Sequence, residues 1–301
     1  MSINNKKVQI TEPVHDYKES NVIGVKQEDN ARVNLKGIVF SDLDGTILDN
    51  GQNLIPDSTM ETLDKLKANG YLVVLSTGRD MDTHYSVRYR AMIKPDAIIH
   101  HNGNKITIGD KLIFEHIMED SLVHEIYEFC KKNCYCVGTS IGGEDFFLNP
   151  EIKLAADRSY KKLVERNFVP FEELFERGLP VSALSYAGDI SVEKPIVEAA
   201  FPCIQLFPFN GGRGADMIER GFSKAEGFKK VCAYYGLSDE ECSSKTYAIG
   251  DSHNDVPLLK AAGLSIAMGN GDEAAKEAAD IVTDDIRHDG FFNAFKRISL
   301  I

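Results

Sequence analysis

Short apolar runs recur along the first hundred positions of the chain, and each one ends in a cluster of polar, turn-forming residues. Gly37-Ile38-Val39-Phe40 runs into Ser41-Asp42-Leu43-Asp44-Gly45-Thr46, and Tyr71-Leu72-Val73-Val74-Leu75 stops at Ser76-Thr77-Gly78-Arg79. Ala97-Ile98-Ile99-His100 ends in His101-Asn102-Gly103. Continuous apolar runs rich in β-branched residues and closed by turn signals read as strands buried on both faces. Between the first two, Met60, Leu63 and Leu66 recur at helical spacing, opened by Pro56-Asp57-Ser58 and closed by Asn69-Gly70. A second helix is expected from about Asp80 to Ala91. Strand, helix, strand, helix, strand predicts a parallel sheet covered on both faces.

The pattern then changes. Ile106-Thr107-Ile108, Gly109-Asp110 and Leu112-Ile113-Phe114 read as a hairpin, so local pairing becomes antiparallel. Helices are expected near 120–132 and 151–166, and strands near 134–139, 181–187 and 202–207. Asn210-Gly211-Gly212-Arg213-Gly214 reads as a turn. This stretch has the character of an α+β insertion with its own core, in which Phe146-Phe147 belongs to the interior. From Gly221 the alternation resumes. A helix carries Phe228, Val231, Cys232 and Tyr235 on one side, and Thr246-Tyr247-Ala248-Ile249 is a strand ending in Gly250-Asp251-Ser252-His253-Asn254-Asp255. A helix through Leu258 and Leu259, a strand Leu264–Met268, a helix at 272–279, Ile281-Val282 and a last helix at 289–299 complete the chain. Residues 1–34 differ from the rest, with five basic and five acidic residues and few aromatics. They read as an extension, with a short strand at Lys7-Val8-Gln9-Ile10. The organisation is therefore an extension (1–34), an α/β core in two parts (35–104 and 221–301) and an α+β insertion (105–220).

In a parallel sheet all strand carboxyl ends face one edge, where open α/β sheets bind their ligands. That edge would gather Asp42 and Asp44, Thr77, and Asp251 with Asn254 and Asp255. Lys224 opens the helix after the insertion and can reach the same edge. Taken singly, each has an ordinary reading: loop acids or helix caps for the aspartates, a surface residue for the lysine. Arg79 serves either the site or a helix start, pairing with Asp80 or Asp82. Taken together they change the picture. Two carboxylates on a tight loop repel unless a cation or shared proton holds them, and Gly45 lets the chain turn there. Asp251 and Asp255 lie four apart and share a face at a helix start. Carboxylates for a hard cation, a hydroxyl and one ammonium suit phosphoryl transfer, where positioning and charge neutralisation supply most of the catalysis.

At 301 residues, with 43% hydrophobic and 27% charged residues, the composition is that of an ordinary globular protein. The net charge of −12 argues against a broad nucleic-acid or anionic-membrane surface, though a metal or lysine can invert the field in one pocket. No run approaches the roughly 20 apolar residues that span a bilayer, and the amino terminus leads into no apolar signal region. Cys130-x3-Cys134-x-Cys136 has no second cysteine or histidine pair to complete a zinc set, so reduced thiols and a cytosolic location are expected.

Four segments, in order, resemble the four motifs of the haloacid dehalogenase (HAD) superfamily. They are Asp42-Leu43-Asp44-Gly45-Thr46, Thr77-Gly78-Arg79, Ser223-Lys224 and Gly250-Asp251-Ser252-His253-Asn254-Asp255. The insertion between the second and third, and the tail segments Ala267-Met268-Gly269-Asn270, Ala279–Thr283 and Asp289-Gly290, are similar to the Cof-type, type IIB-capped sugar-phosphate phosphatases. One departure is Ala225 after Lys224, where that subfamily usually has glycine. The resemblance implies a Rossmann-like HAD core with an inserted type IIB cap that closes over the site. It implies Asp42 as nucleophile, forming an aspartyl-phosphate, and Asp44 as general acid and base. Mg2+ would bind Asp42, the Asp44 carbonyl and Asp251. Thr77, Gly78, Lys224 and Asn254 would hold the phosphoryl group, with Asp255 and Arg79 in support. An acid at Asp44 resembles phosphatases and mutases, whereas transport ATPases carry Thr there. The substrate implied is a small phosphorylated metabolite. A phosphohexomutase and a non-catalytic metabolite-binding regulator remain as alternatives. Among cap residues, Glu144, Asp145, Arg158, Lys161 and Arg213 are polar candidates without an assigned role. Oligomeric state is not legible in the sequence.

Overall fold

A computed structural model describes residues 35–156, 168–209 and 212–301. The extension 1–34 with its expected strand at 7–10, the end of the helix expected at 151–166 with Arg158 and Lys161, and Asn210-Gly211 lie outside the described residues. The first part of the chain forms β1 (Gly37–Ser41), β2 (Tyr71–Ser76), β3 (Ala97–His100), β4 (Lys105–Ile108) and β5 (Lys111–Glu115). Then come β6 (Cys136–Ile141), β7 (Glu144–Leu148), β8 (Phe168–Pro170), β9 (Leu184–Ala187), β10 (Ile204–Pro208) and β11 (Gly214–Glu219). The last part supplies β12 (Thr246–Gly250), β13 (Leu264–Ala267) and β14 (Ile281–Val282).

The strands form an eight-stranded sheet in the order β14-β13-β12-β1-β2-β3-β4-β5 and a six-stranded sheet in the order β10-β11-β9-β6-β7-β8. In the first sheet β14, β13, β12, β1, β2 and β3 pair in parallel, so β1 lies centrally between β12 and β2. This is the α/β core with a second, α+β layer that the alternation predicts. One element lies elsewhere than expected. The hairpin β4–β5, assigned from the change of pairing to the insertion, pairs antiparallel onto β3 and extends the first sheet. Antiparallel pairing alone does not mark a new sheet, since a hairpin can cover the edge of a parallel one. The helix expected from Asp80 spans only Val87–Ile93. Residues 80–86 form turns instead, and the Asp80 carboxylate is drawn into contacts with His100 and Lys105.

Burial on both faces explains why the strands of the first sheet read as unbroken apolar runs. Val39, Val73, Leu75, Ile98, Ile249 and Ile266 pack into one cluster, with Leu63 and Leu66 of the helix Asp57–Ala68 and Phe291 and Phe295 of the helix Gly290–Arg297. Their neighbours Ile38, Phe40, Val74, Ile99 and Ala248 point the other way, against Phe228, Val231 and Cys232 of the helix Lys224–Tyr234. In the second sheet Val137, Phe146, Leu184, Tyr186, Ala215 and Met217 bury one face against Val123, Ile126, Tyr127 and Cys130 of the helix Asp120–Asn133. By the period of two, Asp216 and Ser185, which are paired in register, lie on the opposite face.

Phe40 tests the weight of the first sheet directly. Its side chain is fully buried, with its ring 4.7 Å from that of Phe228. Phe40→Ala should lower stability by about 3–5 kcal/mol, read as a shift in the urea unfolding midpoint. A variant with an unchanged midpoint would show that this face carries little of the fold.

Candidate active site

Asp42 follows β1, and its backbone N–H continues the parallel ladder to the Ile249 carbonyl at 3.0 Å. The chain then turns back so tightly that Gly45, at φ 86°, leaves no room for a side chain: a Cβ there would fall 2.2 Å from Asp251 Oδ2. The close approach of the first loop to the loop after β12 needs glycine at that point. Thr46 Oγ1 donates to Asp251 Oδ1 at 3.4 Å across the same gap. Lys224, just inside a helix whose Ser223 cap accepts from the Glu226 N–H, reaches the edge from the other side. Its ammonium is fully buried and donates to Asp42 Oδ1 and Asp255 Oδ1, each at 2.6 Å.

Asp255 is consumed by these contacts. Its second oxygen accepts from the backbone N–H groups of Asp251 (3.1 Å) and Ser252 (3.0 Å). Asp42 is not: its Oδ2 is buried and has no hydrogen-bond partner. Carboxylate oxygens of Asp42, Asp251 and Asp255 lie within 4.8 Å of one another, close enough to share a metal ion. With Asp255 held by Lys224 and two amides, the oxygens best suited to an ion belong to Asp42 and Asp251. Three carboxylates against one ammonium leave two negative charges, which a divalent cation would balance. Burial pushes both Asp42 and Asp251 above the ordinary carboxylate range, opposed at Asp42 by Lys224 and reinforced at Asp251 by Asp42. An orphaned buried carboxylate oxygen beside a second buried acid fits a hard oxygen-ligated cation such as Mg2+.

Arg79 turns away from Asp80 and Asp82. Its Nε and Nη2 donate to the two oxygens of Asp44, each at 2.6 Å, a fork that fixes the carboxylate plane. Asp80 and Asp82 are held instead by Lys105, with Arg90 also on Asp82. Asp80, Asp82 and His100 thus form a second cluster with metal-ligand spacing whose cation is already supplied by the protein. Thr77 is buried, and its Oγ1 accepts from the Arg79 N–H at 3.1 Å, which shapes the turn through Gly78. Asn254 donates through Nδ2 to Asn102 Oδ1 at 3.1 Å. The structure thus brings Asp42, Asp251, Asp255 and Lys224 into direct contact, with Asp44, Arg79, Thr77, Gly78 and Asn254 around them.

Two residues at this edge were not singled out from the sequence. Asn102 belongs to the turn after β3, where Asn-Gly reads simply as a loop. Asp216 is a strand residue of the second sheet, and its carboxylate lies so close to Gly78 that a Cβ there would be 2.1 Å from Oδ2. Burial raises its carboxyl to about 6. Its only sequence signal is a polar residue between the buried Ala215 and Met217. Of the polar cap candidates within the described residues, Glu144 pairs with Arg177, Asp145 with Ser140 and Tyr85, and Arg213 is exposed.

The chain belongs to the haloacid dehalogenase-like hydrolase family, whose model matches residues 39–295. It is similar to two Bacillus subtilis phosphatases. The phosphatase YwpJ is 26% identical over 278 residues, covering 82% of this chain and 94% of that one. The 5-amino-6-(5-phospho-D-ribitylamino)uracil phosphatase YitU is 25% identical over 271 residues, covering 84% and 94%. Among solved structures, the HAD phosphatase BT1666 of Bacteroides thetaiotaomicron superposes with a TM-score of 0.75 at 25% identity, over 93% of this chain and all of that one. The subclass IIB sugar phosphatase BT4131 shares the fold with a TM-score of 0.75 at 24% identity, over 88% of this chain. The enzyme class is that of a HAD-type phosphatase, as the resemblance implies. No helix among the described residues is long and apolar enough to cross a membrane.

The raised carboxyls give a signed prediction. An acid whose folded value is raised holds its proton where the unfolded chain has lost it, so stability falls as pH rises above the ordinary carboxylate range. A bound cation replaces those protons and removes the penalty. Metal-free protein should therefore melt lower at about pH 8.5 than at about pH 6, and Mg2+ should raise the melting temperature more at the higher pH. Equal Mg2+ shifts at both values, by scanning fluorimetry, would count against a cation between Asp42 and Asp251.

Proposed function

We propose that this enzyme is a Mg2+-dependent phosphatase that hydrolyses small phosphorylated metabolites, sugar phosphates foremost, through an aspartyl-phosphate on Asp42. The observation that carries this reading is the state of Asp42. One of its oxygens is held by the buried ammonium of Lys224, and the other is buried beside Asp251 with no hydrogen-bond partner. An oriented carboxylate of this kind is a nucleophile in waiting. A divalent cation held by Asp42, Asp251 and the Asp44 carbonyl would supply charge neutralisation to the phosphoryl oxygens.

In the first step a carboxylate oxygen of Asp42 attacks phosphorus and the bond to the leaving oxygen breaks. Asp44 gives that oxygen a proton. In the second step Asp44 takes a proton from water, whose oxygen attacks phosphorus, and phosphate departs with Asp42 restored. Thr77, the Gly78 turn, Lys224 and Asn254 hold phosphoryl oxygens, while Asp255 keeps Lys224 in place. Arg79 orients Asp44 through its fork. The inserted segment acts as the cap that excludes competing water. Sugar and related polyol phosphates are favoured because a sugar phosphatase shares the fold and YitU acts on a phosphoribityl compound. The six cysteines, present as free thiols, fit a reducing compartment such as the cytosol.

Purified protein incubated with Mg2+ and a panel of sugar phosphates should release inorganic phosphate. A chelator and Asp42→Asn should each abolish the release without unfolding the protein. Asp44→Asn should lower kcat by roughly 10²–10⁴-fold. Conversion of a sugar monophosphate to its isomer without phosphate release would replace this reading with that of a mutase. No turnover of any ester by folded wild-type enzyme would leave the binding-protein reading.

A further inference from the structure

Asn102 stands where three parts of the molecule meet. It is fully buried, at φ 52° and ψ 32°, a left-handed conformation that asparagine tolerates better than most residues. Its backbone N–H donates to the Thr77 carbonyl at 3.0 Å. Both ends of its amide are engaged: Oδ1 accepts from Asn254 Nδ2 at 3.1 Å, and Nδ2 donates to Asp216 Oδ2 at 2.7 Å. The next residue, Gly103, has φ 108°, and a Cβ there would fall 2.2 Å from the Ser223 carbonyl oxygen. The turn that carries Asn102 is thus pressed against the start of the helix that carries Lys224.

The hydrogen bonds through Asn102 run in one direction. Ser252 Oγ donates to Asn254 Oδ1 at 2.7 Å, Asn254 donates to Asn102, and Asn102 donates to Asp216. An ionised carboxylate only accepts, so Asp216 dictates which end of the Asn102 amide faces it. That choice leaves the amide oxygen for Asn254. Aligned bonds of this kind also polarise one another. Asp216 is the one member of the chain that belongs to the six-stranded cap sheet; the others stand on the core.

We propose that Asn102 is a positioning residue through which the cap carboxylate Asp216 orients Asn254 and the Thr77-Gly78 turn, so that the phosphate-binding groups take their working arrangement with the cap seated. This rests on the phosphatase reading for the roles of Asn254 and Thr77. The link itself does not.

A reciprocal exchange tests it. Asn102→Asp replaces the amide donor with a second carboxyl against Asp216, assayed at about pH 8.5 to disfavour a proton shared between the two, and aspartate keeps the tolerance for left-handed backbone. It should lower kcat/KM for the best sugar phosphate by roughly 10- to 100-fold, the worth of a charge-assisted hydrogen bond. The double variant Asn102→Asp/Asp216→Asn restores one donor and one acceptor with their places exchanged, and the carboxylate can still accept from Asn254. It should regain most of the loss. A residue that merely fills space would not be rescued by exchanging its partner. In parallel, hydrogen exchange of the amides of residues 214–219 should quicken in Asn102→Asp and slow again in the double variant. If wild type releases no phosphate from any ester, the phosphatase reading falls and the exchange measurement still decides the link. If Asn102→Asp does not fold, recovery of folding in the double variant is the rescue. A double variant no better than Asn102→Asp in both readouts overturns the proposal.

Discussion

The buried ammonium of Lys224 is the interaction on which the rest of the site depends. Asp42 and Asp255 stand on the loops that follow adjacent parallel strands, β1 and β12, and would repel each other without the cation between them. A charge taken wholly out of water is costly, and it is retained where strong partners surround it. Here two carboxylates receive the lysine at 2.6 Å each, and Asp255 in turn is held by two backbone amides. The attraction also ties the segments together, because Lys224 stands directly after the inserted segment. The two parts of the core, separated in sequence by the whole insertion, are joined at the site by one ion triad.

Much of this was legible in the residues for a physical reason. Strands buried on both faces must be apolar throughout, so the first polar residue after each run marks a strand end, and all those ends share an edge. The polar clusters that contain Asp42, Thr77 and Asp251 stand out by that rule. The rule fails where burial is one-sided or local. The β4–β5 hairpin has the same pattern whether it joins one sheet or the other, and only pairing to β3 decides it. The turns from Asp80 to Ser86 carry no breaker, and there Asp80 is held by His100 and Lys105, 20 and 25 residues away. Asn102 and Asp216 escaped because each is ordinary in its own element. Their meaning lies in a contact between residues 114 positions apart.

Arg79 had two readings in the sequence, and its partner separates them: the guanidinium reaches Asp44 rather than Asp80 or Asp82. Proximity in sequence favours Asp80 and Asp82, yet those acids have closer cations of their own. The fork to Asp44 uses both carboxylate oxygens as acceptors. In the proposed reaction Asp44 must present one oxygen to the leaving group, so the guanidinium has to yield part of its fork as substrate arrives. A lysine could not supply the same two-point hold, since it acts as a single charge without the planar geometry.

The net charge of −12 is dispersed over the chain, while the charge at the site is arranged in pairs: Lys224 with Asp42 and Asp255, Arg79 with Asp44, Lys105 with Asp80 and Asp82. What remains without a partner is one oxygen of Asp42, beside the buried Asp251, at the place where the proposed reaction would receive an anionic phosphoryl group. Such an edge repels a phosphate ester by itself. In the proposed reaction a cation of charge two would make it receptive, and the ion would then be a condition of binding as well as of chemistry. Asp216 adds a further carboxylate on the cap side, against Asn102 rather than against a cation. The same acid-rich edge that would hold the metal in the proposed reaction also meets the second sheet through the hydrogen bonds from Asn254 to Asn102 and from Asn102 to Asp216, so the cation and the cap bear on one set of groups.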